Sequence, residues 1–477
     1  MRTIFGSESR FAQLGALAMM APIVVMGVVV GCARDASPTE PTSPPADTRN
    51  ATLVAGDIAP IALHKLPAAP GAERAFATMS APGTPKVAIK PLPAREVVKV
   101  KETMIFVAPG TTEVDVPVDE SDGASVYLTP QKVEPTPHVM KEVAFFSPSG
   151  VKVNVRAPRH LEVATPGVAP GTLKAAGKDE VESPLPVVHL RHSKDPKGTY
   201  QVKLGPNASK GGLIVEARFP SSSIEMDLAP CAPTVLAGDK AMVSVDVLDG
   251  ATGIADATIE AELVAPDHVT RIPAPVKVLG GGKFAVAVAE ALTESSEPGQ
   301  YTVYVRAKGS AGARKFDRFG MTGFSFAVPT ARLATVSAPR SIVDGAGKIT
   351  GFDVDVALEV ASFDRYEVSA VLAHQDPDGT ERPVALAQSA AGYDEGTHTL
   401  TLHFDAGHVR LTGYEGAFVL RSLALFSQGR NALYHRLGRG LELHTAAVKV
   451  PELAPLAKMT PAVQQMIADG EFELTKP

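Results

Sequence analysis

Short segments in which apolar and polar residues alternate run through the chain from residue 96 onward. Residues 97–107 read VVKVKETMIFV and residues 241–248 read AMVSVDVL, and turn pairs such as Pro109-Gly110 and Asp122-Gly123 separate segments of this kind. Alternation with a period of two puts every second side chain on one face, which is the pattern of a strand with one buried face. We therefore predict an all-β fold of short strands and tight turns.

The strand pattern divides into three parts of about 100–150 residues, the usual size of a domain. We predict three tandem immunoglobulin-like β-sandwich domains at 96–228, 229–335 and 336–450, and a C-terminal tail at 451–477 with a short helix over 460–469. The composition agrees with this division, because 41 Gly and 40 Pro with no Trp suit many short strands better than long helices.

One local pattern occurs once in each predicted domain. The segments GTYQV, GQYTV and DRYEV place Tyr200, Tyr301 and Tyr366 at the start of a strand, after a turn residue. In immunoglobulin-like sandwiches a tyrosine there packs its ring inward while its hydroxyl bonds backbone nearby. We interpret the three residues as structural and the three domains as related modules. The alternative is a chance match among strands that contain Tyr and Val.

The N-terminus carries a nearly unbroken apolar run over residues 14–30, which ends at Val29-Val30-Gly31-Cys32. The run has about the length of the apolar core of a signal peptide. Its last four residues resemble the bacterial lipobox, in which a peptidase cleaves before a cysteine whose sulfur carries a diacylglycerol; Val29 replaces the usual Leu. We predict a lipoprotein signal peptide at 1–31 and lipidation of Cys32. The alternative is an ordinary signal peptide or an anchor helix that contains a cysteine.

Residues 32–95 are rich in Pro, Ala and Thr, which favours an extended tether between the anchor and the folded domains. Residues 58–66 are apolar, which leaves open that this part packs on a domain.

No other segment approaches about 18 consecutive apolar residues, so no further membrane span is expected. We predict a protein lipid-anchored to a membrane of the bacterial cell envelope and facing the periplasm or the surface. Ala33 after the lipidated cysteine favours the outer membrane.

The last predicted domain resembles a known group of proteins. It contains YEVSAVL from residue 366, DPDGT from 376, TLTLHF from 399 and GAFVLRSL from 416. Segments in this order are similar to the C-terminal module of uncharacterised bacterial exported lipoproteins with tandem immunoglobulin-like domains, a domain of unknown function. The resemblance is strongest over residues 350–447. It implies a β-sandwich and export, and it transfers no catalytic residue, because no reaction is known for that group.

The sequence offers little for catalysis. It contains neither Gly-x-Ser-x-Gly nor His-Glu-x-x-His. His189 and His192 lie in a predicted strand, where their side chains point to opposite faces, and we interpret them as solvated. A joint metal site of His398, His403 and His408 is disfavoured, because positions five apart in a strand are about 16 Å apart. We predict no catalytic residue, no enzymatic activity and no cofactor.

Two further features are candidates for binding or redox chemistry. Acidic loops at the ends of sandwiches can gather oxygens around calcium, and the weak candidates are Asp119, Asp122 and Asp249. The alternative is that the Asp-Gly pairs at 122 and 249 are hairpin turns. The three glycines at 280–282 have no following helix, which indicates a flexible turn rather than a phosphate loop. If Cys32 is acylated, Cys231 has no internal disulfide partner, and its role stays open.

A formal net charge of -6 argues against nucleic acid as a partner. We predict a non-enzymatic envelope lipoprotein that reaches the membrane through its lipid anchor and serves as a structural or binding module for a protein or glycan. One alternative is a periplasmic assembly factor or chaperone that pairs its edge strands with clients. Another is a set of accessory domains in an exported hydrolase system.

Overall fold

A computed structural model describes residues 45–54, 56–90, 97–122, 124–130, 142–153, 187–190, 196–229, 232–439 and 441–472. Over these residues the protein is an all-β chain of mainly antiparallel sheets, in which residues 234–236 and 325–327 form a parallel pair, and this confirms the predicted fold class. Two strands precede the sandwiches, β1 (Ala46–Asp47) and β2 (Ala77–Pro82), and are followed by β3 (Val98–Val100). The predicted leader with Cys32, and also His192 and Cys231, lie outside the described residues.

The first sandwich packs two four-stranded sheets around one core. Its elements are β4 (Glu102–Val107), β5 (Glu113–Val118), β6 (Ser125–Pro130), β7 (Val143–Phe146), β8 (Lys152–Val153), β9 (Val187–His189), β10 (Gly198–Leu204), the helix α1 (Pro206–Lys210) and β11 (Leu213–Arg218). One sheet has the order β4-β11-β6-β9 and the other β5-β10-β7-β8. In β11 every second residue from Leu213 to Ala217 points inward and is fully buried. The alternation of apolar and polar residues therefore supplies one apolar face to the core.

The second sandwich packs a sheet of order β18-β19-β14-β12-β3, with β15 on β14, against a sheet of order β13-β21-β20-β16-β17. Its elements are β12 (Ile224–Ala229), β13 (Thr234–Leu236), β14 (Val243–Asp249), β15 (Thr252–Gly253), β16 (Thr258–Val264), β17 (Arg271–Pro273), β18 (Val276–Gly280), β19 (Lys283–Val286), β20 (Gly299–Ala311) and β21 (Arg314–Ala327). The long hairpin of β20 and β21 pairs without a break from Gly299 with Phe326 to Ala311 with Arg314.

The third sandwich contains β22 (Ala331–Val336), β23 (Arg340–Val343), β24 (Ile349–Val360), β25 (Asp364–Gln375), β26 (Glu381–Tyr393), β27 (Gly396–Asp405), the helix α2 (Ala406–Thr412), β28 (Val419–Ser427) and β29 (Ala432–Leu437). In one sheet β27 lies on one side of β24, while β22 and β23 share the other side. The other sheet has the order β2-β26-β25-β28-β29. The helix α3 (Pro461–Ala468) follows, capped by the Thr460 hydroxyl.

Residues 45–90 differ from the predicted tether. β1 pairs with β22, β2 pairs with β26 along six residues, and Ile58 exchanges two backbone hydrogen bonds with Arg436 at 2.9 and 2.7 Å. The prediction rested on local composition, which favours an unpacked chain. The edge strands of the third sandwich expose backbone N–H and C=O groups that bind an extended segment of almost any sequence, and no local pattern announces this pairing.

The structure also moves the predicted boundaries between the sandwiches. The first domain was predicted to extend from 96 to 228, but β3 and β12 at its two ends pair with each other, and β12 also pairs with β14 in the second sandwich. At the other end, Leu453 is fully buried in the third core, beyond the predicted limit at 450. Alternation identifies a strand but does not say which sheet the strand joins. Over the residues described, no helix is long and apolar enough to cross a membrane.

Candidate functional site at the junction of the first two sandwiches

Arg318 and Asp119 form an ion pair between the first two sandwiches, with both side chains fully buried. Arg318 lies in β21, and its Nη2 donates to both carboxylate oxygens of Asp119, which follows β5, at 2.9 Å. The same guanidinium donates from Nε and Nη2 to the carbonyl of Ile224 at 3.1 and 2.9 Å, and the Ser222 hydroxyl donates to Asp119. Burial lowers the pKa of Arg318, and the charge and hydrogen bonds of Asp119 oppose this shift.

A second polar link lies one residue earlier on β21. The Asp317 carboxylate accepts from the Thr103 hydroxyl of β4 at 3.0 Å and from Arg306 Nε of β20 at 2.9 Å. Thr103 and Asp317 are both buried. The first sandwich is therefore held to the second by two adjacent residues of one strand, whose side chains extend to opposite faces of the sheet.

The burial pattern of β21 shows how the junction forms. All five residues from Phe316 to Gly320 are buried, which breaks the alternation of the rest of the strand. A Cβ at Gly320 would lie 2.6 Å from the Leu228 side chain and 2.7 Å from that of Val100, both in the second sandwich, so a larger residue would require these side chains to move. Over residues 316–320 both faces of β21 are thus buried, and Arg318 reaches Asp119 of the first sandwich from the face that Phe316 and Gly320 turn toward the second core.

A groove of about 220 Å³ opens beside this junction. Three aromatic rings form a row along it, because Phe319 packs edge-to-face on Phe106 at a centroid distance of 5.7 Å and on Tyr304 at 5.3 Å. Phe106 comes from the first sandwich and is 44% exposed, which leaves part of its ring free for a ligand. The charged residues that line the groove are Glu260, Glu262 and Arg306.

A second groove, of about 340 Å³, lies at the same junction and is lined by Lys99, Lys101, Glu102, Tyr127 and Arg218 among others. The Arg218 guanidinium lies 5.2 Å from the centre of the Tyr127 ring, within the range of a cation–π contact. Burial raises the pKa of Glu102, nearby Glu216 adds to the rise, and Arg218 opposes it. A half-buried ring beside paired charges suits binding, since it offers apolar contact and hydrogen-bonding groups together.

The structure places arginines at two of the three carboxylates that the sequence suggested for calcium. Arg318 binds Asp119, and Arg314, also in β21, binds Asp249 at 2.5 Å. Asp122 is exposed in the turn after β5. Within the described ranges no group of three or more His, Cys, Asp or Glu side chains is arranged to hold a metal ion. The arginines lie far away in the sequence, so the acidic loops alone did not reveal that protein cations occupy these positions.

The histidines of the third sandwich each have a separate partner. His398 Nε2 lies 2.8 Å from the carbonyl of Asp394, His403 Nδ1 lies 2.7 Å from Asp353 Oδ1, and His408 Nδ1 lies 3.1 Å from the hydroxyl of Ser80 in β2. The hydrogen bond to Asp353 raises the pKa of His403, whereas burial lowers that of His408. The side chain of His189 is outside the described part of the chain.

Tyr200, Tyr301 and Tyr366 occupy equivalent places in the three sandwiches. Each residue is buried, and each hydroxyl donates to the carbonyl four residues earlier, at 2.8, 2.8 and 2.6 Å respectively. The Tyr366 hydroxyl also lies 2.8 Å from that of Thr330, which follows β21. The same bond therefore recurs at the start of the corresponding strand in all three modules.

Comparison with known proteins finds a family model that matches part of the third sandwich. Residues 334–444 match the model of a domain of unknown function (DUF4785), C-terminal domain. This match confirms the resemblance predicted for residues 350–447. No curated protein matches the chain.

One solved structure supports the fold over most of the chain. A DUF4785 family protein from Legionella pneumophila is 16% identical, with a TM-score of 0.56 over 86% of this chain and 99% of that one. Trypsin-activated α2-macroglobulin from Escherichia coli is 11% identical over 85% of this chain and 26% of its own, with a TM-score of 0.19. A putative membrane anchored protein from Corynebacterium diphtheriae is 10% identical over 77% and 100%, with a TM-score of 0.17. The first of these supports the fold, and the other two support no further inference.

Proposed function

We propose that this chain, whose third sandwich matches a domain of unknown function, is a non-enzymatic lipoprotein of the bacterial envelope. In this account Cys32 carries the lipid, and the sandwiches form a structural and binding module for a protein or glycan partner. The observation that supports the binding role is the groove at the junction of the first two sandwiches. There the Phe106 ring is exposed beside Tyr304 and the carboxylates of Glu260 and Glu262.

The buried ion pair supports a binding role for this groove. Two sandwiches joined only by a linker would move against each other, and a groove between them would change shape. Arg318 with Asp119, and Asp317 with Thr103, fix the first sandwich against β21. A groove that is already formed binds at a lower entropic penalty than one that must be assembled by its ligand.

The lipid anchor is supported by Val29-Val30-Gly31-Cys32 at the end of the apolar leader. An acyl chain keeps a protein at the membrane surface. Binding a second envelope component there requires no catalytic residue. The proposal is therefore that of a module that links the membrane to a partner.

Photo-crosslinking in the producing bacterium tests the groove. A benzoylphenylalanine replaces Phe106 in one variant and Val151 in another; both positions are exposed and apolar, and both lie in the first sandwich. In parallel, the wild-type ectodomain and Phe106→Ala are applied to a glycan array. We expect an adduct at 106 and none at 151, or a glycan signal that Phe106→Ala loses. Equal adducts at both positions, or neither adduct nor glycan signal, would contradict the proposal.

A second candidate is an assembly factor that pairs an edge strand with its clients. β18 is the last strand of its sheet, and Val278 and Leu279 are 72% and 64% exposed. An open apolar edge of this kind binds extended segments. Val278→Lys would then weaken the suppression of aggregation of an unfolded outer-membrane β-barrel protein. Equal suppression by the variant and the wild type would exclude this edge.

A further inference from the structure

The chain passes through the three sandwiches in a nested order. Residues 45–90 lie mainly on the third sandwich, with His64 and Leu66 also in contact with the second; β3 lies in the second, and β4 to β11 form the first. From there the chain returns through the second sandwich, from β12 to β21, and finishes in the third. Both the N-terminal segment and the C-terminal elements thus belong to the third sandwich, and the first sandwich lies at the turning point of the path.

Several contacts fix the N-terminal segment to the third sandwich. The buried Thr48 hydroxyl donates to the carbonyl of Leu333 at 2.7 Å, and Asp57 accepts from the backbone N–H of Gly438 at 2.6 Å. A Cβ at Gly83 would lie 2.3 Å from the carbonyl oxygen of Pro383, so β2 ends in close contact with β26. These contacts begin at β1 and continue beyond β2, which makes the attachment part of the folded domain.

The strand register shows which end of the third sandwich lies away from the second. β22 follows β21 after three residues, and its first residue, Ala331, pairs with Val360. The hairpin of β23 and β24 over residues 344–348 is therefore at the opposite end. Ala46 pairs with Val336, the last residue of β22, and Thr48 bonds Leu333. The chain accordingly enters the sandwich on the side of that far end and runs toward the junction.

We propose that the third sandwich is the membrane-facing end of the protein and that the first sandwich is the end farthest from the membrane. This inference rests on the proposed lipidation of Cys32. Only fourteen peptide units separate Cys32 from Ala46, and a chain of that length spans at most about 50 Å. The far end of the third sandwich, with the 344–348 hairpin, then faces the phospholipid surface. The groove at Phe106 and Tyr304 then lies at the junction of the two sandwiches beyond the third.

Energy transfer to a membrane dye tests this orientation on the full-length lipidated protein. Single cysteines are introduced in a Cys231→Ser background at exposed positions in the third, second and first sandwiches, as Ala346→Cys, Val269→Cys and Lys210→Cys. Each is labelled with a donor fluorophore and inserted into vesicles of phosphatidylethanolamine and phosphatidylglycerol that contain a rhodamine-labelled lipid. The three variants serve as controls for one another, because they share the anchor and differ only in the position of the label.

We expect the loss of donor fluorescence to be largest at 346, intermediate at 269 and smallest at 210. A loss at 210 equal to or larger than that at 346 would overturn the orientation while leaving the anchor intact. A protein that fails to float with the vesicles, and behaves like its Cys32→Ala variant, would overturn the anchor and with it this inference. The two failures are distinguishable, because flotation is measured before fluorescence.

Discussion

Arg318 and Asp119 are 199 residues apart in the sequence, and the Arg318 Nη2 donates to both oxygens of the Asp119 carboxylate at 2.9 Å in a site that excludes solvent. Neither residue belongs to a motif. The pair joins two sandwiches, whereas the alternation pattern predicts strands within a sandwich and no contact between sandwiches. It gives the clearest energetic consequence of the fold, because a buried charge that loses its partner is strongly destabilising.

Asp119→Ala is expected to lower the free energy of unfolding by about 3–5 kcal/mol, since Arg318 stays buried without a counter-charge. The exposed Asp122 offers a matched control, and Asp122→Ala should change stability by less than about 0.5 kcal/mol. Urea denaturation followed by circular dichroism measures both. The double variant Asp119→Leu with Arg318→Met should regain most of the loss. Equal effects of the two single variants would show that the ion pair does not hold the junction.

Removing the hydroxyl of Tyr200, Tyr301 or Tyr366 by substitution with Phe should destabilise each variant by about 1 kcal/mol, the net contribution of one hydrogen bond. Tyr366→Phe is expected to have the largest effect, because this variant also loses the buried hydrogen bond between the Tyr366 and Thr330 hydroxyls. Thermal denaturation of the three variants side by side provides the comparison. Melting temperatures unchanged from wild type in all three would contradict a structural role for the recurring bond.

His435 predicts a dependence of stability on pH. Burial lowers its pKa from 6.5 to about 4, and its Nδ1 accepts from the Leu333 N–H at 3.2 Å. The unfolded chain binds the proton of His435 more readily than the folded protein does. The contribution of neutral His435 to the free energy of unfolding is therefore complete above pH 6.5 and is lost as the pH falls toward 4. Between pH 7 and pH 5 the loss is about 2 kcal/mol. Urea denaturation at several pH values should show a shallower decline for His435→Gln than for wild type. Identical slopes would mean that His435 does not titrate in this way.

The turn at 280–282 gives a matched pair of glycine variants. All three glycines have positive φ, but a Cβ at Gly280 meets nothing within 4 Å, whereas one at Gly282 lies 2.6 Å from the Ile254 nitrogen and 2.7 Å from the Val247 oxygen. Gly280→Ala should cost about 1–2 kcal/mol for its backbone conformation alone. Gly282→Ala should cost more, because backbone atoms must also move. Equal melting temperatures for the two variants would show that the turn is not packed against residues 252–254.

The sequence predicted what depends on neighbouring residues. Alternation located the strands, and the recurring tyrosines marked equivalent positions in three modules. What it missed depends on distant residues: the arginines that bind Asp119 and Asp249, and the attachment of residues 45–90 to the edges of the third sandwich. Backbone pairing at an edge is nearly independent of side chains, so β1 and β2 have no distinctive pattern. The five consecutive buried residues from Phe316 to Gly320 in β21 include an aspartate and an arginine. An alternation of apolar and polar residues does not predict that these two charged side chains are buried.

The anchor at Cys32 is the central claim, and processing of the leader tests it most directly. Wild type and Cys32→Ala are compared for sensitivity to globomycin, an inhibitor of the lipoprotein signal peptidase, and for distribution between membrane and soluble fractions. We predict that wild type accumulates with its leader when globomycin is present and otherwise fractionates with the membrane, while Cys32→Ala keeps its leader or leaves the membrane fraction. If both proteins are processed alike and fractionate alike, Cys32 is not the anchor and the proposed function is wrong.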